Sequence, residues 1–199
     1  VITLHEHIDM EALGKITPLD KHACAFNKFK NNIVDGRITT NYETRAKGIG
    51  RLYPDKVGLT HINKKTRALV AHQGYIDCDM ENAHPNVANQ YAEKNGIEAE
   101  WLSFYCKNRE SVLTDISSVL NCDRASSKRE ILRVLHGGGA DERSEFLVKL
   151  HTETELIADH VSAEYPEFLS YVKRRFISKG KIKRCILSLW AQTRESELL

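Results

Sequence analysis

The sequence predicts an α+β fold that is mostly α-helical, with a few strands near residues 33–80. Two observations carry this. From Ala99 onward, apolar residues recur at the three- and four-residue spacing of a helix face. Before that point, short runs alternate apolar and polar side chains, the period of a half-buried strand.

Taken in order, residues 1–45 are mixed. The stretch Asn31 to Arg37 reads as a turn that leads into a short strand, Ile38–Tyr42. Residues 45–58 hold Gly48, Gly50, Pro54 and Gly58 and read as a loop. Leu59–Ala71 places Lys64, Lys65 and Arg67 among apolar residues, as a short basic helix or irregular segment. Gly74–Met80 reads as a strand, with Ile76, Cys78 and Met80 on one face and Tyr75, Asp77 and Asp79 on the other. A helix then runs from about Pro85, where a missing N–H costs least, to Asn95, and stops at Gly96. Helical spacing marks Glu100–Tyr105, Arg109–Leu120, Ser126–His136, Asp141–His160, Tyr165–Ile177 and Arg184–Leu199. Gly137-Gly138-Gly139 and Lys179-Gly180-Lys181 interrupt the pattern. No repeat or low-complexity segment occurs.

A chain of 199 residues suffices for one domain or two small ones. The formal net charge of +2 rules out a strongly basic nucleic-acid binder, so any cationic footprint is local. Local clusters lie at Lys28–Lys30, Lys64–Arg67, Arg124–Arg133 and Lys173–Arg184. The five cysteines are odd in number, widely spaced and without a C-x-x-C. That argues against a disulfide framework or a zinc site, and for an intracellular, reducing compartment such as cytoplasm, nucleus or a viral replication site. No apolar run reaches the roughly 18 residues of a membrane span, so no membrane partner is expected.

Three short strings carry potential chemistry. Asp79 closes the expected strand just before a helix, a position that suits a ligand for a hard cation and equally an ordinary helix cap. Asp77 on the same face strengthens the metal reading, because neighbouring carboxylates repel unless a cation or proton intervenes. Arg124 and Lys128 lie four apart, one helical turn on a shared face, where a forked donor and a point charge can clamp a polyphosphate. They can also be two solvated cations on an amphipathic helix. Gly50-Arg51 places a cation on a turn, within reach of a nucleic-acid backbone.

Together, Lys47-Gly48-Ile49-Gly50-Arg51, Asp79-x4-His84 and Arg124-x3-Lys128-x7-His136-Gly137 resemble the ordered motifs of family A (polymerase I-like) DNA polymerases. The gaps also suit that family, 28 residues from Arg51 to Asp79 and 45 from Asp79 to Arg124. Ser188-x3-Gln192 resembles the family's Gln-containing helix. The resemblance covers roughly residues 45–199 and extends to single-subunit phage RNA polymerases.

It implies a fragment of a right-hand polymerase, palm strands plus fingers helices. Residues 1–45 would form an N-terminal segment, 46–98 a palm-like region, 99–183 a fingers-like helical region, and 184–199 a helix leading back to the palm. It implies template-directed nucleotidyl transfer in viral or phage-like DNA replication, on a DNA or RNA primer–template with nucleoside triphosphates. Two Mg²⁺ ions would serve, with Asp79 as the motif A ligand, Asp77 as a candidate beside it, and the second metal-binding Asp not found in this chain. Arg124, Lys128, His136 and His84 would contact the incoming nucleotide, with Lys128 also catalytic, and Arg51 and Gln192 would touch nucleic acid. No motif C carboxylate is present, so a C-terminal remainder or partner chain would have to supply it. His84 and His136 stand where the family carries Glu and Tyr. The departures leave two alternatives: a non-catalytic nucleic-acid-binding protein of polymerase-like fold, or an RNA polymerase- or primase-like enzyme.

Overall fold

The computed structural model describes all residues except Lys47, Gln73, Asp77, Cys78, 176–178 and Leu199. For residues 20, 21, 45, 46, 175, 179–184 and 198 it describes the backbone only. The chain is α+β and divides into two compact units, Val1–Asp79 and Met80–Leu199.

The first unit is an antiparallel meander of three strands, β1 (Ile2–His7), β2 (Arg37–Ala46) and β3 (Ile49–Pro54), in the order β1-β2-β3. Registers run from Ile2↔Tyr42 to His7↔Arg37, and from Tyr42↔Pro54 to Ala46↔Ile49 with an irregularity between Thr44 and Ala46. Asp35 and Gly36 enter β2 with φ of 50° and 71°. Positive φ at both central residues is the twist-matched two-residue turn for which Asp-Gly is a strong signal. Gly48, at φ 90°, lies in the connection from β2 to β3.

Alternation along β2 buries Ile38, Thr40 and Tyr42 and exposes Arg37, Thr39, Asn41 and Glu43. The buried side meets α1 (Met10–Gly14), α2 (Asp20–Asn31) and α3 (Lys64–Ala71) through a core of Ile8, Leu13, Phe26, Phe29, Ile38, Leu59, Ile62 and Val70. One carboxylate enters this interior. Glu6 is buried, accepting hydrogen bonds from the Tyr42 hydroxyl and the Leu59 N–H, each at 2.8 Å.

The second unit contains seven helices among its described residues: α4 (Ala83–Lys94), α5 (Glu100–Lys107), α6 (Arg109–Leu120), α7 (Arg124–Leu135), α8 (Glu145–Glu164), α9 (Pro166–Arg175) and α10 (Lys179–Leu198). α8 is the central element, packed by α5, α7, α9 and α10, while α10 also packs on α4. Leu102, Leu113, Ile131, Leu147, Ile157 and Ile186 are among its fully buried residues. Ser144 caps α8 through a 3.4 Å bond from the Leu147 N–H, and Asp123 caps α7 through a 2.7 Å bond from Ser126. α5 has no capping side chain at Ala99, and buried Glu153 of α8 instead accepts the Trp101 and Leu102 N–H groups, both at 2.9 Å.

Three sequence expectations are corrected. No described residue of 74–80 lies in a strand, and Ile76 is 89% exposed. No described residue of this run pairs with a neighbouring strand, and alternation alone does not make a ladder. The expected loop 45–58 contains β3, which pairs with β2 despite its glycines. Residues 1–45, expected to be mixed, hold a full edge strand and two helices.

Candidate functional site

In the first unit, the sheet face opposite the core is exposed. It carries Thr3, His5 and His7 from β1, Arg37, Thr39, Asn41 and Glu43 from β2, and Arg51 and Tyr53 from β3. The period of two places them together: Tyr53 pairs with Glu43, and Arg51 lies two residues back on the same face. Cross-strand bonds tie the surface. The Thr3 hydroxyl donates to Asn41 Oδ1 at 2.8 Å, and His5 Nδ1 lies 3.1 Å from Thr39 Oγ1. Among the described residues, two guanidinium groups, two imidazoles and an exposed phenol share this surface with the Glu43 carboxylate and that of Asp55, which accepts from the Asn41 side chain at 3.0 Å. Gly50, beside Arg51, is buried, so the Gly-Arg string splits across the two faces.

In the second unit, the end of α7 shapes the residues around His136. The Gly138 N–H returns to the Arg133 carbonyl at 2.7 Å, and the Gly137 N–H returns to Val134 at 2.8 Å. This is the paired closure that needs a left-handed residue after the cap, and Gly137 takes φ 76°. The His136-Gly137 string is therefore a helix terminator, with His136 as the C-cap.

The terminator brings His136 against His84 of α4, Nε2 to Nδ1 at 3.3 Å. The other nitrogen of His84, Nε2, lies 3.2 Å from Glu195 Oε2 on α10. The three groups form a linear relay, because His84 uses opposite ring edges for its two partners. A carboxylate only accepts, so a hydrogen bond here has His84 Nε2 as the donor. The contact between its Nδ1 and His136 Nε2 needs one nitrogen as donor and the other as acceptor. This geometry can pass or hold a proton; it does not converge on a metal ion. Glu195 was not read from the sequence, since its role arises from the packing of α10 on α4.

The remaining candidates are dispersed. Arg124, expected to bind triphosphate, donates two bonds to Glu110 of α6, at 2.8 and 2.5 Å. That guanidinium holds the Glu110 carboxyl below the usual carboxylate range, with weaker help from Arg109 and Lys128. Lys128 is exposed beside this pair. Gln192 donates from Nε2 to the Ser188 hydroxyl at 3.2 Å, within its own helix. Asp79 is exposed in an irregular segment, and Asp77 lies outside the described residues. Among the described residues, no group of three or more His, Cys, Asp or Glu side chains is placed to hold a metal ion. No described helix is long and apolar enough to cross a membrane.

No protein-family model matches this chain, and no solved structure does. Over 184 residues, 85% of the chain, it is 31% identical to a protein of Sputnik virophage named "Putative helicase V13". The aligned stretch is 24% of that relative, so the chain spans about a quarter of its length. This overturns the expectation of a template-directed polymerase: the relative is named for helicase activity, and no match supports polymerase kinship. The strings that suggested it have structural explanations here: Gly137 ends α7, Arg124 is ion-paired to Glu110, and Asp79 does not end a strand.

Proposed function

We propose that this chain is a nucleic-acid-binding segment of a larger, virus-type helicase protein, and that it holds a single strand on the open sheet face of its first unit. The observation that carries the proposal is that face, with Arg37, Arg51 and Tyr53 on one exposed surface flanked by His5 and His7. Cations on such a surface attract phosphates, and an exposed aromatic ring offers a stacking platform to any base. Similarity to a helicase-named protein supports a nucleic-acid partner. The sequence has no G-x4-G-K-S/T string, so the phosphate-cradling loop of a motor ATPase is not among these residues. The motor activity belongs to other parts of the parent protein.

The test is fluorescence anisotropy with a labelled single strand of about 20 nucleotides and the matching duplex, from low to moderate salt. Single-strand binding is expected, with a log–log salt slope of about −1.4 for the two arginines. The triple variant Arg37→Ala, Arg51→Ala, Tyr53→Ala should weaken binding about tenfold or more. Equal binding by the triple variant, or no binding by the parent chain at low salt, would overturn the proposal.

A further inference from the structure

A second feature of the first unit lies along the outer edge of β1. Tyr75 is anchored there by its hydroxyl, which accepts the His7 N–H at 2.7 Å and lies 3.5 Å from the His5 carbonyl. The ring is 44% exposed and forms one wall of a cavity of about 370 Å³. Leu59 and Ile76 add apolar lining, and α3 contributes Lys64, Arg67 and His72. Neither Lys64 nor Arg67 is paired with a carboxylate among the described residues. On the cationic wall, His72 Nδ1 lies 3.8 Å from Asp9, a carboxylate already engaged by the Ala12 N–H that it caps.

A cavity of this size is at the lower end of small-molecule pockets. Its two walls differ in kind. An aromatic ring and aliphatic side chains suit a flat, weakly polar ring system, while a lysine and an arginine one helical turn apart suit a phosphate. A nucleoside monophosphate unit joins those two chemistries in one ligand. Tyr75 is held at the sheet edge by backbone groups of His5 and His7, whose side chains project from the open face. The cavity and the open face are thus neighbouring parts of one surface.

Building on the strand-binding reading above, we propose that this cavity seats one unstacked nucleotide of a bound single strand, its base against Tyr75, Leu59 and Ile76 and its phosphate on Lys64 and Arg67. The phosphates on either side continue onto the sheet face. The pocket reads no sequence through this contact, because stacking accepts any base.

The experiment uses the full chain with three probes: a labelled dT12, the same oligomer with every base replaced by an abasic site, and free dTMP followed by amide chemical shifts. The proposal expects dT12 to bind about tenfold tighter than the abasic strand, with that preference reduced by Tyr75→Leu. It expects Lys64→Ala/Arg67→Ala to lower the dT12 salt slope by about 1.4. Shifts with dTMP should centre on residues 59 to 76. If both variants bind dT12 and dTMP as the parent chain does, the pocket assignment falls while strand binding on the sheet survives. If dTMP shifts the pocket amides but no oligomer binds, the strand reading falls and a free-nucleotide pocket replaces it. If neither ligand binds, both proposals fall.

Discussion

Gly58 sits where its backbone, at φ −124° and ψ −160°, would accept any residue, yet the space around it would not. A Cβ built there stands 2.4 Å from Glu6 Oε2 and 3.0 Å from Glu6 Cδ and Oε1. In Gly58→Ala the carboxylate has to move. Glu6 is only 6% exposed, and moving it gives up the 2.8 Å bonds from the Tyr42 hydroxyl and the Leu59 N–H. Hydrogen bonds to a charged acceptor are worth about 1.5–3 kcal/mol each. Taking the lower figure for both, the substitution costs about 3 kcal/mol. For a unit of this size that is a fall in Tm of roughly 12–24 °C. The loss should be local. Amide exchange at Leu59 should accelerate strongly, because its acceptor is gone, and the pocket that Leu59 lines should loosen with it. A double-mutant cycle with Glu6→Ala separates clash from general damage. Once the carboxylate is absent, the methyl added by Gly58→Ala no longer meets the atoms that crowd it, so the two substitutions should be strongly sub-additive. A cost below about 1 kcal/mol for Gly58→Ala, or simple additivity in the cycle, would refute the reasoning.

Two further outcomes follow from buried carboxylates and their partners. Burial, the hydrogen bond to Glu6 and the Glu6 charge together push the Tyr42 phenol up to about 12 from an ordinary value near 10. The folded state therefore holds that proton more tightly than the unfolded chain does. The contribution is complete below about pH 10 and is lost as pH rises from about 10 to about 12, at most about 2–3 kcal/mol. Urea midpoints measured across that window should fall more steeply in the parent chain than in Tyr42→Phe; equal slopes would contradict the assignment. In the second unit, Glu153→Ala removes the acceptor of two buried N–H groups at the start of α5 and should cost about 3 kcal/mol. Glu153→Gln, which keeps one acceptor oxygen but no charge near the helix N-terminus, should lose less, read as a smaller drop in Tm.

The helical half of the molecule was legible because its signals are local. Apolar periodicity placed α6 at its observed bounds and, with the glycine stop after His136, α7 within two residues of its start. The β half was harder. β1 and β3 acquire their identity from β2, and β1 reaches it across a long stretch of intervening chain that itself folds into two helices. The run 74–80 shows the same point from the other side: it had the pattern, and none of its described residues lies in a strand.

The candidate sites divide in the same way. The sequence singled out His84 and His136 in separate strings, and the structure brings them to 3.3 Å, with His84 also 3.2 Å from Glu195. Arg51 and Arg124 are both exposed, and the ion pair of Arg124 with Glu110 is one that no spacing rule announces.

What the sequence determined by itself was the mostly helical α+β class, the helix stops and the residues able to carry charge, since these depend on each residue and its near neighbours. What only the tertiary structure decided was which charges stay exposed and which are spent inside the protein. Glu6, Glu153 and Glu195 find their partners 36 to 111 positions away. Such contacts form only when the chain is folded, because the loss of water around each carboxylate has to be offset by a donor that packing delivers.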